Sequence, residues 1–218
     1  MHSSIAGGPS PGLQVRVSVV MAVYNAETTI ANAIRSVQEQ THSNIEIIVV
    51  DDCSTDRSRE IVEQIAAADP RVRFVAMSRN SGAYVCRNAG MAQATGDFVT
   101  VHDSDDWSHP QKIELQLRRL HEAPAAIGVL SRWIRVREDL YVEGFWRPTE
   151  SLLSVNQSSF LFPRRILDEI GGWDCVRVGA DNEFLWRFRT RYGDDAIVET
   201  DCDLPLALSL VRDDSLTR

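Results

Sequence analysis

Three carboxylates fall within four positions at Asp103, Asp105 and Asp106, directly after the apolar run Phe98-Val99-Thr100-Val101-His102. A short β-branched and aromatic run reads as a buried strand. Such a strand does not normally finish in stacked negative charge, because like charges at this spacing repel and resist burial. A divalent cation with hard oxygen ligands would neutralise them, and such a cation also grips a diphosphate. An Asp-x-Asp at a strand end therefore points to a metal–nucleotide site. The plainer alternative is a solvated acidic turn capping the next helix, since motifs this short also arise by chance.

Two further strand ends carry polar groups, Tyr24-Asn25 after residues 15–23 and Asp51-Asp52 after residues 45–50. Asn25 is placed to cap a helix marked by Ile30, Ala33, Ile34 and Val37. Thr55 or Asp56 can cap a second helix carrying Ile61, Val62 and Ile65. A third strand over 72–77 leads to a helix over 83–94, ended by Gly96. Strand–helix alternation with short links is the signature of a parallel sheet covered on both faces. Ligands bind such sheets beyond the carboxyl ends of the strands, so the three polar strand ends should converge on one rim.

After Trp107, Ser108-His109-Pro110-Gln111 has the form of a capping box, with Ser108 as N-cap and a helix running to about His121. Strands are expected over 127–136, 140–142, 158–162 and 196–199, with a less regular stretch over 144–156. A short helix is expected over 163–170, closed by Gly171-Gly172, and a clear one over 181–192. The second half thus reads as a mixed continuation of the sheet, without a separate domain boundary.

The 218 residues suit one sizeable domain, and 44% hydrophobic with 25% charged residues is ordinary for a globular protein. A net charge of −8 argues against nucleic acid as a partner, because phosphate backbones demand a basic face. No apolar run reaches the length of a membrane span. Residues 1–14, rich in Ser, Gly and Pro, read as a flexible leader and not as a signal peptide. Cys53, Cys86, Cys175 and Cys202 form no CxxC pair, so reduced thiols in a cytoplasmic protein are expected.

Five segments together resemble the family 2 glycosyltransferases, inverting nucleotide-sugar enzymes of GT-A fold. They are residues 19–25, 48–56 and 87–98, the cluster Asp103-Ser104-Asp105-Asp106, and Gly171-Gly172-Trp173-Asp174 with Asp181-Asn182-Glu183-Phe184. The fold this implies is α/β: a Rossmann-like, mostly parallel sheet flanked by helices, continued by a smaller mixed acceptor-side region. One domain over 15–218 would hold a nucleotide-sugar half (15–122) and an acceptor and catalytic-base half (123–218). The implied activity is metal-dependent, inverting hexosyl transfer from a nucleotide-sugar, a UDP-sugar first, to an acceptor hydroxyl in cell-surface polysaccharide or glycoconjugate synthesis. A saccharide, a lipid-linked saccharide or a protein would be the acceptor. The chain would then act at a membrane periphery or as part of a longer protein.

The resemblance also places residues. Ala22 and Tyr24 would line the nucleobase pocket, and Asp52 would accept the base N–H. Asp105 would bind Mn²⁺ or Mg²⁺ directly, while Asp103 reaches the ribose, or the metal through water; Ser104 lies in the same donor-binding turn. Arg87 would face the diphosphate, and Asp181 would be the catalytic base, with Glu183 as fallback. Plainer readings stand beside these: a core aromatic for Tyr24, an exposed helix residue for Arg87, an N-cap for Asp181. Asp51 and Asp56 read as braces, His102 as a strand-edge residue, and Arg212 as a second diphosphate contact; Trp173 stands where the family builds an acceptor wall, reads equally as core, and is given no role. A signalling receiver fails on length and on its single acidic strand end, and a nucleotidylyltransferase lacks its Gly-rich loop. A catalytically inactive scaffold of the same fold is the remaining alternative.

Overall fold

The computed structural model describes residues 14–137, 139, 141–143 and 152–211. Strands β1 (Val17–Val23), β2 (Ile45–Asp51), β3 (Val72–Ala76) and β4 (Phe98–Val101) alternate with helices α1 (Ile30–Gln38), α2 (Ser58–Ala68) and α3 (Ala83–Met91). Then come β5 (Asp106–Ser108), α4 (Lys112–Glu122), β6 (Gly128–Val136), β7 (Val142–Glu143) and β8 (Ser154–Pro163). The described chain closes with α5 (Ile166–Ile170), α6 (Ala180–Tyr192), β9 (Ile197–Glu199) and β10 (Ala207–Leu210).

The strand order is β3-β2-β1-β4-β8-β6-β10-β5, with β7 and β9 both paired to β6. The four strands from β3 to β4 are parallel, in register Val17↔Ile45 and Val17↔Phe98. β8 enters antiparallel between β4 and β6 and turns the sheet mixed. Alternate residues of β1 and β2 feed two cores. Val19, Met21, Ile47 and Val49 pack with Ile34 and Val37 of α1, Val62 of α2 and Ile113 of α4. Val20, Ile48 and Val50 pack on the other face with Cys86 of α3 and Phe184 and Phe188 of α6. Both faces are covered, which is why these strands read as continuous apolar runs. Where α3 crosses β1, a Cβ on Gly90 would lie 2.4 Å from Val20 Cγ1, so only glycine lets the helix approach this closely.

Several expectations require correction. Ser108 is not a helix cap: it lies in β5, opposite Ala207 of β10, and α4 starts at Lys112 with no side-chain cap. A strand pairing about a hundred residues away decides this, and no local pattern reports it. Asn25 does not cap α1, which starts at Ile30; it adopts φ 49° and its Oδ1 accepts from Thr55 N at 2.8 Å. His102 is not an edge residue but is buried, with Ser108 Oγ 3.3 Å from Nδ1 and Ser36 Oγ 3.5 Å from Nε2. β8 is longer than expected, and β5 and β10 were not foreseen. The leader, the stretch 144–151 and Arg212 lie outside the described residues. All four cysteines are free thiols. No helix among the described residues is long and apolar enough to cross a membrane.

One buried acid ties β1 and β2 to the loop before β4, at the end of the sheet opposite the rim. Glu46 of β2 accepts from Ser18 Oγ at 2.5 Å and from Thr95 N at 2.7 Å, with Arg16 at 3.3 Å. Burial pushes its carboxyl up, but the hydrogen bonds from Ser18 and Thr95 and the charge of Arg16 outweigh burial and hold it below 4.5. Its contribution to stability is therefore present above pH 4.5 and lost as pH falls through the lower folded value. Glu46→Gln is expected to cost about 3 kcal/mol at neutral pH and to flatten the acid side of the stability curve. Urea titrations at pH 7 and pH 4 check both; equal stability of variant and wild type at pH 7 would contradict the network's role.

Candidate active site

Because β1, β2 and β4 are parallel, their carboxyl ends share one edge, and the predicted residues gather there. Ala22 is half-buried one residue before the end of β1, and Tyr24 stands half exposed just beyond it. Asp51 ends β2 and braces the next turn by accepting from Ser54 N at 3.3 Å. The turn passes through Cys53 at φ 61°, the left-handed region that favours glycine. Asp56 supports the start of α2, accepting from Ser58 N at 2.9 Å. Asp52 is buried, and its two oxygens accept from Ser81 N at 2.7 Å and Gly82 N at 2.8 Å. Gly82, at φ 92°, is the residue from which α3 begins, so Asp52 sets the start of that helix.

Arg87, one and a half turns into α3, is 5% exposed and reaches two carboxylates. Its Nη2 donates to Asp103 Oδ1 at 2.5 Å and its Nη1 to Asp181 Oδ1 at 2.8 Å. Burial works against the guanidinium's charge, but Asp103 and Asp181 outweigh it and raise its pKa further. Asp103 is likewise pushed up by burial and pulled below its ordinary value by Arg87. Arg87 is thus not an exposed helix residue.

Asp181 is the second residue of α6, so the N-cap reading fails; Gly179, at φ 85°, occupies the cap position. Its carboxylate also accepts from Trp173 Nε1 at 2.9 Å and from Tyr84 Oη at 3.1 Å. Tyr84 and Trp173 were not foreseen as members of this group. The spacing of Tyr84 and Arg87, three apart on one helix face, was the signal available for the first. Glu183, two residues along, is held by Arg187 at 2.7 and 2.8 Å.

The acidic turn faces two ways. Asp103 belongs to the Arg87 group, Ser104 is half exposed in the turn, and Asp105 borders a cleft of about 530 Å³ with Trp107, Asn32 and Arg35. That cleft is lined by neither Asp52 nor Asp181. Asp106 is buried and pushed well above its ordinary value by burial and by Asp103 and Asp105. Lys112 lies beneath, pulled down to about 8 by burial against the charges of Asp106 and Asp103. Burial and the Lys112 charge keep His102 neutral, near 3.

Among the described residues no three His, Cys, Asp or Glu side chains converge as a metal-holding group. The turn offers two hard-oxygen side chains, Asp103 and Asp105, which suit a cation that completes its shell with phosphate oxygens and water. The residues fit Mn²⁺ or Mg²⁺ in this sense.

The fold is found in solved structures. S. aureus TarS 1-349 in complex with UDP aligns over 90% of this chain and 60% of its own, with TM-score 0.71 and 22% identity. The complex with UDP-GlcNAc aligns over 92% and 60%, with TM-score 0.73 and 21% identity. At that identity the likeness defines the fold alone, an α/β domain of GT-A type with a mostly parallel sheet flanked by helices. In sequence, a Bacillus subtilis glycosyltransferase assigned to teichuronic acid biosynthesis, TuaG, is 37% identical over 136 residues, 62% of this chain and 54% of that one. The succinoglycan biosynthesis protein ExoO of Rhizobium meliloti is 42% identical over 113 residues, 52% of this chain and 32% of its own. The chain spans about half or less of the length of these relatives. The model for glycosyl transferase family 2 matches residues 18–181, and the chain belongs to that family.

Asp52→Ala is expected to cost about 2 kcal/mol, because it leaves two backbone N–H groups at the start of α3 without their acceptor. Amide hydrogen exchange checks this: protection should fall first at residues 81–87. Unchanged protection there would show that the carboxylate does not organise the helix.

Proposed function

We propose that this chain transfers a sugar from a UDP-sugar to an acceptor hydroxyl with inversion, using Asp181 as the general base. The observation that carries the reading is Arg87, whose one guanidinium joins Asp103 of the acidic turn to Asp181 of α6. The carboxylate expected at the donor and the one expected to act as base are therefore neighbours. Family membership supports glycosyl transfer, and the UDP and UDP-GlcNAc complexes of TarS support a uridine nucleotide.

In this reading Tyr24 stacks on the base, against the Ala22 wall. Asp52 keeps acceptor positions free, since a carboxylate has about four and two are occupied by backbone N–H groups. It accepts the base N–H with one of the others. Asp103 and Ser104 meet the ribose and diphosphate, and Arg87 presents positive charge to the phosphates. Asp103 and Asp105 would hold a divalent cation, which would supply Lewis-acid charge at the diphosphate. The Asp181 carboxylate takes the proton from the acceptor hydroxyl as that oxygen attacks the anomeric carbon from the face opposite the nucleotide. Residues 15–122 serve as the donor-binding half and 123–218 as the acceptor half of one domain. The names of TuaG and ExoO favour a cell-surface polysaccharide as product, with a saccharide or lipid-linked saccharide as acceptor, made from the cytoplasmic side.

Calorimetric titration of UDP and then GDP, with and without Mn²⁺, tests the reading on wild type and Asp105→Ala. UDP is expected to bind only with Mn²⁺ and to weaken at least about tenfold in the variant. GDP preference would keep the site and change the donor class. Failure of both nucleotides to bind with Mn²⁺ present would favour the inactive scaffold.

A further inference from the structure

We propose that Tyr84 and Trp173 are positioning residues that fix the Asp181 carboxylate in one orientation and leave Oδ2 as the atom that accepts the proton. This rests on the reading of Asp181 as the general base. The Trp173 indole N–H and Arg87 Nη1 both donate to Oδ1, at 2.9 and 2.8 Å, while the Tyr84 hydroxyl donates to Oδ2 at 3.1 Å. Donors on both oxygens define the plane of the carboxylate, because rotating it breaks at least one bond. Of about four acceptor positions on a carboxylate, these three donors fill both on Oδ1 and one on Oδ2. The open position is on Oδ2.

The donors are themselves held. Asn88 clamps the Trp173 main chain twice, donating from Nδ2 to Trp173 O at 2.7 Å and accepting at Oδ1 from Trp173 N at 2.9 Å. A Cβ at residue 172 would come within 2.2 Å of Asn88 Oδ1, so Gly172 is what admits the clamp. The Trp173 ring stacks on Phe184 at 4.7 Å and 18° between planes, and Phe184 lies one turn after Asp181 on α6. Tyr84, Arg87 and Asn88 share one face of α3, at spacings of three and four. One helix therefore carries two of the donors directly and clamps the third. A buried indole N–H needs an acceptor in any role, so what separates positioning from packing is an effect on kcat that leaves donor affinity in place.

The test uses Trp173→Phe and Tyr84→Phe, which keep a ring and remove a single donor, their double variant, and Asp181→Asn. Crystal structures of the ligand-free proteins are expected to show the Asp181 carboxylate rotated out of its wild-type plane in the double variant. With UDP-GlcNAc as probe donor, kcat of each single variant should fall about tenfold while the donor KM and UDP affinity stay within about twofold. A packing role alone would lower thermal stability without that split. An unmoved carboxylate in the double variant overturns the proposal, as does unchanged kcat where Asp181→Asn is inactive. Wild-type turnover by Asp181→Asn would refute the base reading itself. If wild type does not turn over UDP-GlcNAc, the carboxylate orientation decides alone.

Discussion

The site depends on one buried cation placed between two carboxylates. Unpaired, the guanidinium of Arg87 would be costly at its depth. Paired, the three groups hold α3, the end of β4 and the start of α6 in a fixed relation. Arginine suits the task because its planar fork serves two acceptors at once, which a lysine ammonium on a flexible stem does less well. The same guanidinium lies 5.1 Å from the Tyr84 ring centroid, so the donor to Asp181 also shields the cation beside it. The fold exists around this arrangement: parallel strands bring Asp52 and Asp103 to one edge, and antiparallel β8 carries the chain across to α6.

α3 is the element on which the rest converges. The backbone amides of Ser81 and Gly82 just before it are held by Asp52, its middle supplies Arg87, and Asn88 holds the Trp173 main chain. Gly90 then seats the helix tightly on β1. Asp52, Asp103 and Asp181 are thus referred to a single rigid body. Beneath the acidic turn a second polar group, His102, Asp106, Ser108 and Lys112, supports the other side. Burying Lys112 near Asp106 gives the turn a counter-charge from below.

Much of this was legible in the sequence, for identifiable reasons. Strands buried on both faces announce themselves as apolar runs, and carboxylates at their ends stand out because apolar strands rarely end that way. Asp52, Asp103 and Asp181 could be singled out from type, position and family resemblance. What escaped was everything fixed by partners distant in sequence. β5 is a strand because β10 lies beside it, so Ser108 followed by Gln111 looked like a helix start. Asn25 looked like a cap because its partner, Thr55, lies on another loop. Residue-type averages make His102 an edge residue and leave Trp173 between core and acceptor wall, because they do not report what surrounds a particular side chain. The Tyr84 bond to Asp181 joins α3 to α6 across 97 residues, and the Trp173 bond joins the irregular link before α6 to its first turn across eight. No periodicity carries that information.

The most direct measurement of the central pairing is a double-mutant cycle between Arg87→Met and Asp181→Asn, read as unfolding free energy in urea. If the guanidinium and the carboxylate sustain one another, the two losses are not additive and the cycle gives a coupling of about 2 kcal/mol. Additivity to within about 0.5 kcal/mol would mean that Arg87 and Asp181 are neighbours without being partners, and that the site is held together by something else.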